Sequence, residues 1–413
     1  MKISIFTSIV LLFFVSCEND SHPTTPGPAN PFAQKEIDWP SLQKAPWPMY
    51  RHDPQLTGRS PYAGPTKGII GDTLSIGYSM GSIVSDGMNI FIPFIRYGAP
   101  MFCSFSSQNG DTNWILKLSL SLDENPNTPM LLAGGEIVHS ANQLYGITAN
   151  GLLVWQYAGT GNKIYNYYIY NYHELVDKDG NIYAVEDRHT IICLSPSRQL
   201  LWSFTDPQIW LPKFSFSPDG KTLYVPKGID HSIMALDAAT QQVKWTFGSL
   251  GLFASPVVDN AGNIYFQKSS SNTPIDTFYC LAPSGAVRWQ YAYHKGNSVP
   301  DIYDYYEPTI DHNGNVYFIA PKDTLVSTTN DGMLRWKLPL TPYSGSYSPL
   351  ICDKNNTIFL TTGGKQLIAV SDAGTVLWQV QFTFSQGENY STPSIVNGKL
   401  YLPSNFGRIY VIE

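Results

Sequence analysis

The stretch SPVVDNAGNIYFQKSSSNTPIDTFYCLAPSGAVRWQY, residues 255–291, decides the fold. Residues 255–259 and 263–267 are short apolar runs separated by the turn tripeptide NAG. A third run lies at 278–282, PSG turns the chain again, and a fourth run at 286–291 carries Trp289. Gly and Asn accept the positive φ of tight hairpins, so the pattern predicts four antiparallel strands within about 44 residues. The phrase recurs along the chain. Trp114, Trp155, Trp202, Trp245, Trp289, Trp336 and Trp378 follow one another at intervals of 41, 47, 43, 44, 47 and 42 residues. A second column, on the second strand of each unit, runs in step from Ile90-Phe91 to Leu400-Tyr401 and has eight members.

A four-stranded unit repeated at a period of 40–50 residues is the blade of a β-propeller. Eight second-strand pairs against seven fourth-strand Trp residues leave the last unit one strand short. Residues 66–78, just before the first complete unit, can supply it. The expected fold is therefore all-β: an eight-bladed β-propeller of four-stranded antiparallel blades, the last blade closed by an N-terminal strand. Closure of this kind removes open sheet edges.

Composition agrees. Of 413 residues, 43% are hydrophobic, 14% aromatic and only 14% charged, well below the charge content of an ordinary soluble domain. The net charge is −6 with 26 Lys and Arg, and no basic run occurs, which argues against a nucleic-acid partner. Residues 1–16 read as a lipoprotein signal peptide: Lys2, an apolar run from Ile3 to Val15, then Ser16 before Cys17. The run is too short to span a bilayer. The Ser-Cys junction resembles a bacterial lipobox, although Phe14 stands where Leu is usual, and it makes Cys17 the expected lipidation site and only membrane attachment. Residues 17–45 read as a flexible tether and 46–413 as the propeller. Cys103, Cys193, Cys280 and Cys352 are far apart with no CxxC, which excludes a zinc or redox motif. The first three occupy the same place in successive repeats, in MFCSFSS, IICLSPS and FYCLAPS, and that register predicts small buried residues.

Residues 47–65, WPMYRHDPQLTGRSPYAGP, together with the GxxxW-type fourth-strand phrases, resemble the PQQ-binding-like (quinoprotein) β-propeller repeat family. The resemblance covers roughly residues 46–413; FSFSPDGKTLYV at 214–225 is closer to other bacterial propellers. It implies one of two functions. Some members are lipid-anchored scaffolds of outer-membrane assembly, and others are quinone-dependent dehydrogenases. The dehydrogenases carry adjacent cysteines and a calcium site; no Cys-Cys pair occurs here, and the DxDGN-like turns lack calcium-loop spacing. GxSxG, HExxH, a P-loop and a complete dinucleotide fingerprint are also missing. Neither cofactor nor metal is expected.

Two inter-blade loops stand out. One contains Tyr165, Tyr167, Tyr168, Tyr170 and Tyr172; the other, following Trp289, contains Tyr293, Tyr303, Tyr305 and Tyr306. Tyr offers a rigid apolar face and a hydroxyl at low entropy cost, which suits recognition; packing of the loops against one another is the alternative use. The residues that open the first strands of blades two to eight are Thr128, His173, Phe214, Ser255, Glu307, Ser348 and Thr392. His173 and Glu307 are the titratable members, each at the foot of a Tyr-rich loop and three blades apart. They are candidate ligand contacts over a central funnel, or an acid/base pair in an enzyme; a solvated channel lining is the plainer role. The expected protein is a monomeric, non-enzymatic scaffold at the outer membrane that binds a protein or glycan of the cell envelope, with a propeller enzyme as the alternative.

Overall fold

The computed structural model describes residues 30–78, 81–97, 99–118, 127–160, 164, 173–210, 213–248, 255–268, 275–294, 307–320, 324–340, 348–362, 366–382 and 391–413. These residues form eight four-stranded antiparallel sheets. Blade 1 comprises Val84–Ser85, Asn89–Arg96, Ala99–Ser106 and Thr112–Lys117. Blade 8 takes Ser394–Val396, Lys399–Ser404 and Arg408–Ile412 from the C-terminus, and its outermost strand, Ile70–Ser75, from the N-terminal side. Leu74 pairs with Ile409 and Ser75 with Arg408 across that seam, so the expected closure is present.

In each blade the strands reverse direction, so the turns between strands one and two and between three and four share one face, the turn face. The connections between blades and the turns between strands two and three share the other, the loop face. On the turn face a carboxylate organises four of the first turns. Asp177, Asp259, Asp311 and Asp353 each accept the backbone N–H of the residues two and four positions ahead. Where Asn and Tyr follow at four and six, their side chains bond the second oxygen, as with Asn263 at 2.7 Å and Tyr265 at 2.9 Å on Asp259. The carboxylates are thus engaged in holding hairpins, the ordinary role of Asp in such turns.

The Trp column joins neighbouring blades. Trp114, Trp245, Trp289, Trp336 and Trp378 donate their indole N–H groups to the carbonyls of Ala149, Pro283, Asn330, Asp372 and Pro65, each in the next blade or just before its outermost strand. Gly151, Gly285, Gly332 and Gly374 sit at positive φ directly on the rings of Trp114, Trp245, Trp289 and Trp336; a Cβ there would fall 2.6–2.7 Å from Cδ2. Arg198 replaces that glycine in blade 3 at φ 67° and lays its guanidinium 4.8 Å from the centre of the Trp155 ring.

The residue paired with each Trp on the third strand is always small: Ser104, Gly146, Cys193, Ala235, Cys280, Ser327 and Ala369. At Gly146 the indole leaves no room for a side chain, since a Cβ would fall 1.9 Å from Trp155 Nε1. All four described cysteines are buried and free. Cys103 departs from the expected register: it pairs with Ile115, and Ser104 takes the place opposite Trp114.

The compact unit begins at Phe32, so the later part of the segment read as tether belongs to it. Trp39 and Leu42 are buried, and the Trp39 indole N–H bonds Val176 O at 2.8 Å.

Replacing Gly332 by Ala is expected to cost about 1–3 kcal/mol more than replacing Gly135 by Ala, because overpacking adds to the positive-φ penalty. Both glycines sit at positive φ, but only Gly332 lies against an indole, and Gly135 faces open space. Urea unfolding of the two variants measures the difference.

Candidate functional site

The axis of the ring is not an open funnel. Residues 47–60, the first part of the WPMYRHDPQLTGRS motif, fill it. The innermost strands are two residues long in seven of the blades, and each would otherwise leave backbone groups unpaired toward the axis. The segment supplies the partners. Trp47 and Ser85 exchange backbone hydrogen bonds in blade 1, and Leu131 N–H bonds Pro48 O at 2.7 Å in blade 2. Phe216 N–H reaches Pro54 O at 2.8 Å and Val258 N–H reaches Gln55 O at 3.0 Å, in blades 4 and 5. In blade 7, Cys352 N–H bonds Gly58 O and Ser60 N–H bonds Cys352 O, both at 2.8 Å.

Blade 6 is held by side chains: Thr309 donates its hydroxyl to Thr57 O at 2.7 Å, Arg59 reaches Ile310 O at 3.3 Å, and Arg51 makes most of the contacts. Arg51 is wholly buried. It donates Nε–H to Leu56 O at 2.8 Å, Nη1–H to Glu307 O at 3.2 Å, and Nη2–H to Thr57 O at 3.3 Å and to Pro308 O. Gly58 must be glycine here, because a Cβ would lie 2.6 Å from Leu350 O and 2.8 Å from Arg51 Nη2.

This plug brings the predicted axial residues into one buried cluster. The ring of His173 stacks on Tyr50 at 4.7 Å, and its Nε2 lies 3.1 Å from Phe214 O. Glu307 is 1% exposed; its carboxylate pairs with Lys213 at 3.4 Å and accepts the Ser255 hydroxyl at 3.2 Å. Burial alone would raise the Glu307 carboxyl, but Lys213, Arg51 and the backbone N–H groups of Glu307 and Ser255 outweigh it and hold it below 4.5. Burial, aided by the Lys213 and Arg51 charges, pushes His173 down to about 4 against its hydrogen bond to Phe214 O and the Glu307 charge. The imidazole is therefore neutral at physiological pH. Burial and the nearby Glu307 charge raise the Tyr50 phenol well above 10. Its hydroxyl is directed toward Glu307 and Thr392 but closes a well-aligned hydrogen bond with neither. His173 and Glu307 thus do not touch; both face Tyr50. A neutral buried His, an ion-paired Glu and an un-ionised Tyr form a structural cluster rather than a solvated lining.

Tyr293 belongs to the outer strand Val287–His294 and packs with Tyr291 against the core between blades 5 and 6. It is not a loop residue. Tyr165, Tyr167, Tyr168, Tyr170, Tyr172, Tyr303, Tyr305, Tyr306 and Cys17 lie outside the described residues. On the described part of the loop face, Tyr78, Tyr97 and Trp210 are exposed, and the Arg188 guanidinium stands 5.0 Å over Trp210. Trp210 was not singled out by the sequence, since it stands outside the Trp column. Among the described residues, no three His, Cys, Asp or Glu side chains converge to hold a metal ion.

Fold and repeat define an eight-bladed β-propeller with PQQ-like repeats. Residues 81–247 match the profile of the PQQ-type family described as outer membrane protein assembly factor BamB. No curated protein matches the sequence. Among solved structures, quinohemoprotein alcohol dehydrogenase from Comamonas testosteroni superposes with a TM-score of 0.66 at 13% identity, covering 90% of this chain and 81% of that one. BamB from Moraxella catarrhalis gives 0.60 at 14% identity, covering 84% and 97%. The C-terminal WD40 domain of Sif2 gives 0.62 at 10% identity, covering 85% and 99%. At these identities the likeness is one of fold, shared by an enzyme, an assembly factor and a WD40 domain.

Replacing Glu307 by Gln leaves Arg51 and Lys213 without their counter-charge and is expected to cost about 3 kcal/mol at neutral pH. A carboxyl held below 4.5 in the folded state stabilises the protein above that pH, and the contribution disappears as pH falls through its folded value. The gap between wild type and variant should therefore close on acidification, as read by urea unfolding across an acid pH series.

Proposed function

We propose that the protein is a non-catalytic scaffold, anchored through a lipid on Cys17 at the bacterial outer membrane. The loop face of its propeller binds a protein or glycan partner of the cell envelope. The filled axis carries this reading. Chemistry at the centre of a propeller needs side chains that a substrate can reach, whereas His173 and Glu307 are buried against residues 50 and 51 of the same chain. Recognition then falls to the rim, where Tyr78, Tyr97 and Trp210 are exposed and where the two Tyr-rich loops begin or end. Aromatic side chains of this kind anchor protein and sugar partners. The family match to an outer-membrane assembly factor supports the same class of role. No helix among the described residues is long and apolar enough to cross a membrane.

The fold likeness to a quinohemoprotein dehydrogenase keeps one rival reading, a quinone enzyme. Adding pyrroloquinoline quinone with calcium to the purified protein is expected to change neither its melting temperature nor its visible absorbance; a clear change in both favours the enzyme. For the binding role, Tyr168→Ala combined with Tyr305→Ala should reduce retention of envelope components in a pull-down from the native membrane by about tenfold. The melting temperature should be unchanged, and undiminished retention refutes the rim reading. Cys17→Ala should abolish incorporation of labelled palmitate.

A further inference from the structure

We infer that the cavity on the turn face, enclosed by the two arms of the N-terminal segment, binds a small organic cation bearing an amine. It lies on the opposite face from the rim and is independent of the partner-binding role. The cavity has a volume of about 340 Å³ and is walled entirely by residues between Glu36 and Tyr62, within the size range of small-molecule sites. Trp39, Pro48, Pro61 and Tyr62 provide apolar walls, and Glu36 and Asp53 provide carboxylates.

The two carboxylates differ. Asp53 accepts the backbone N–H of Thr57 at 3.0 Å and the Thr57 hydroxyl, so it is occupied in holding the plug. Glu36 has no hydrogen bond among the described residues. Asp38 also lines the cavity but pairs with Lys44 at 3.3 Å, and both are largely exposed. The buried Arg59 faces Glu36 and Asp53 from behind, donating to Ile310 O, Lys35 O and Asn260 Oδ1. Around Glu36 the Asp53 and Arg59 charges oppose one another, so an ionised Glu36 leaves excess negative charge there.

His52 closes the inner wall of the cavity. It lines the cavity and is only 6% exposed, yet neither ring nitrogen has a hydrogen-bond partner. Burial, with the Arg59 and His312 charges, pushes it down to about 3. It is therefore neutral and does not repel a cation. Its ring packs edge-on against Trp47 at 5.4 Å. An organic cation fits better than a metal ion. No metal-ligating triad is present among the described residues, whereas the exposed Tyr62 ring favours an ammonium group; the Trp39 ring already carries Lys178 Nζ at 5.0 Å.

Glu36 gives the site a pH signature. It is exposed at the concave mouth, yet the surrounding protein still displaces water from its flanks. That desolvation, then the Asp53 charge, raises it to about 7 against the pull of Arg59. A bound cation favours the ionised form, so binding releases a proton and strengthens as pH rises through that range.

The test is calorimetric titration with benzylamine, and with benzyl alcohol as its uncharged isostere, at about pH 6 and about pH 8. Benzylamine should bind about tenfold more tightly at the higher pH, following the ionised fraction of a group near 7. Benzyl alcohol should bind at least about tenfold more weakly than the amine at the higher pH. Glu36→Gln, with an unchanged melting temperature, should lose about tenfold in benzylamine affinity and most of the pH dependence. The inference is overturned if benzylamine does not bind, if amine and alcohol bind alike, or if Glu36→Gln keeps the wild-type affinity and pH slope.

Discussion

The innermost strands of the ring set the constraint on which the rest depends. A propeller blade is a sheet with two edges, and its inner edge faces the axis. Unpaired backbone N–H and C=O groups buried there are costly. In this protein they are answered by one continuous stretch, residues 47–60, which hydrogen-bonds to the inner strands of blades 1, 2, 4, 5 and 7 through its backbone and to blade 6 through Arg51. Arg51 suits the position because its fork reaches several carbonyls at once. The plug therefore acts as a ninth structural element shared by six of the blades, and the axial residues of the blades adapt to it.

That adaptation explains the state of His173, Glu307 and Tyr50. A buried Arg needs a counter-charge, and Glu307 supplies it across the axis. Lys213 is a second cation on the same carboxylate. His173 is kept neutral by the same burial and packs as an aromatic plate on Tyr50. The cluster has the residue types of an acid–base site, but its one carboxylate is ion-paired with Lys213 and faces Arg51. Perturbed ionisation at this centre follows from burial and ion pairing rather than from catalysis, a distinction that side-chain identity alone does not make.

Much of the architecture is legible in the sequence because a repeat reports its own period. The Trp spacing, the turn tripeptides and the surplus second-strand pair lead directly to eight blades and to closure by the strand Ile70–Ser75. The fine register is less so. Cys103 and Ser104 are both small and adjacent, and only the pairing with Trp114 shows which one lies beneath the indole. The candidate site is less legible again. His173 and Glu307 could be placed at the axis from the repeat register. The plug could not, because residues 47–60 have no periodicity and their partners lie 38 to more than 250 residues away. Trp39 and Leu42 escaped notice for the same reason: they are isolated apolar residues in a polar, Pro-rich stretch, and only tertiary contact buries them.

The plug also separates the two faces of the ring physically. A propeller with an open axis lets a ligand on one face interact with groups presented by the other. Here the Trp47, Tyr50 and Arg51 side chains, each fully buried, stand between them. Whatever the loop face binds is recognised by residues that the blades present outward, such as Trp210. Whatever enters the axial cavity of the turn face meets only the N-terminal segment, whose Glu36, His52 and Asp53 are absent from the repeats. Repeat-derived and segment-derived surfaces can therefore diverge independently. The blades supply a rigid frame through the Trp column, and chemical individuality is concentrated in the inter-blade loops and in about thirty residues that precede the first blade.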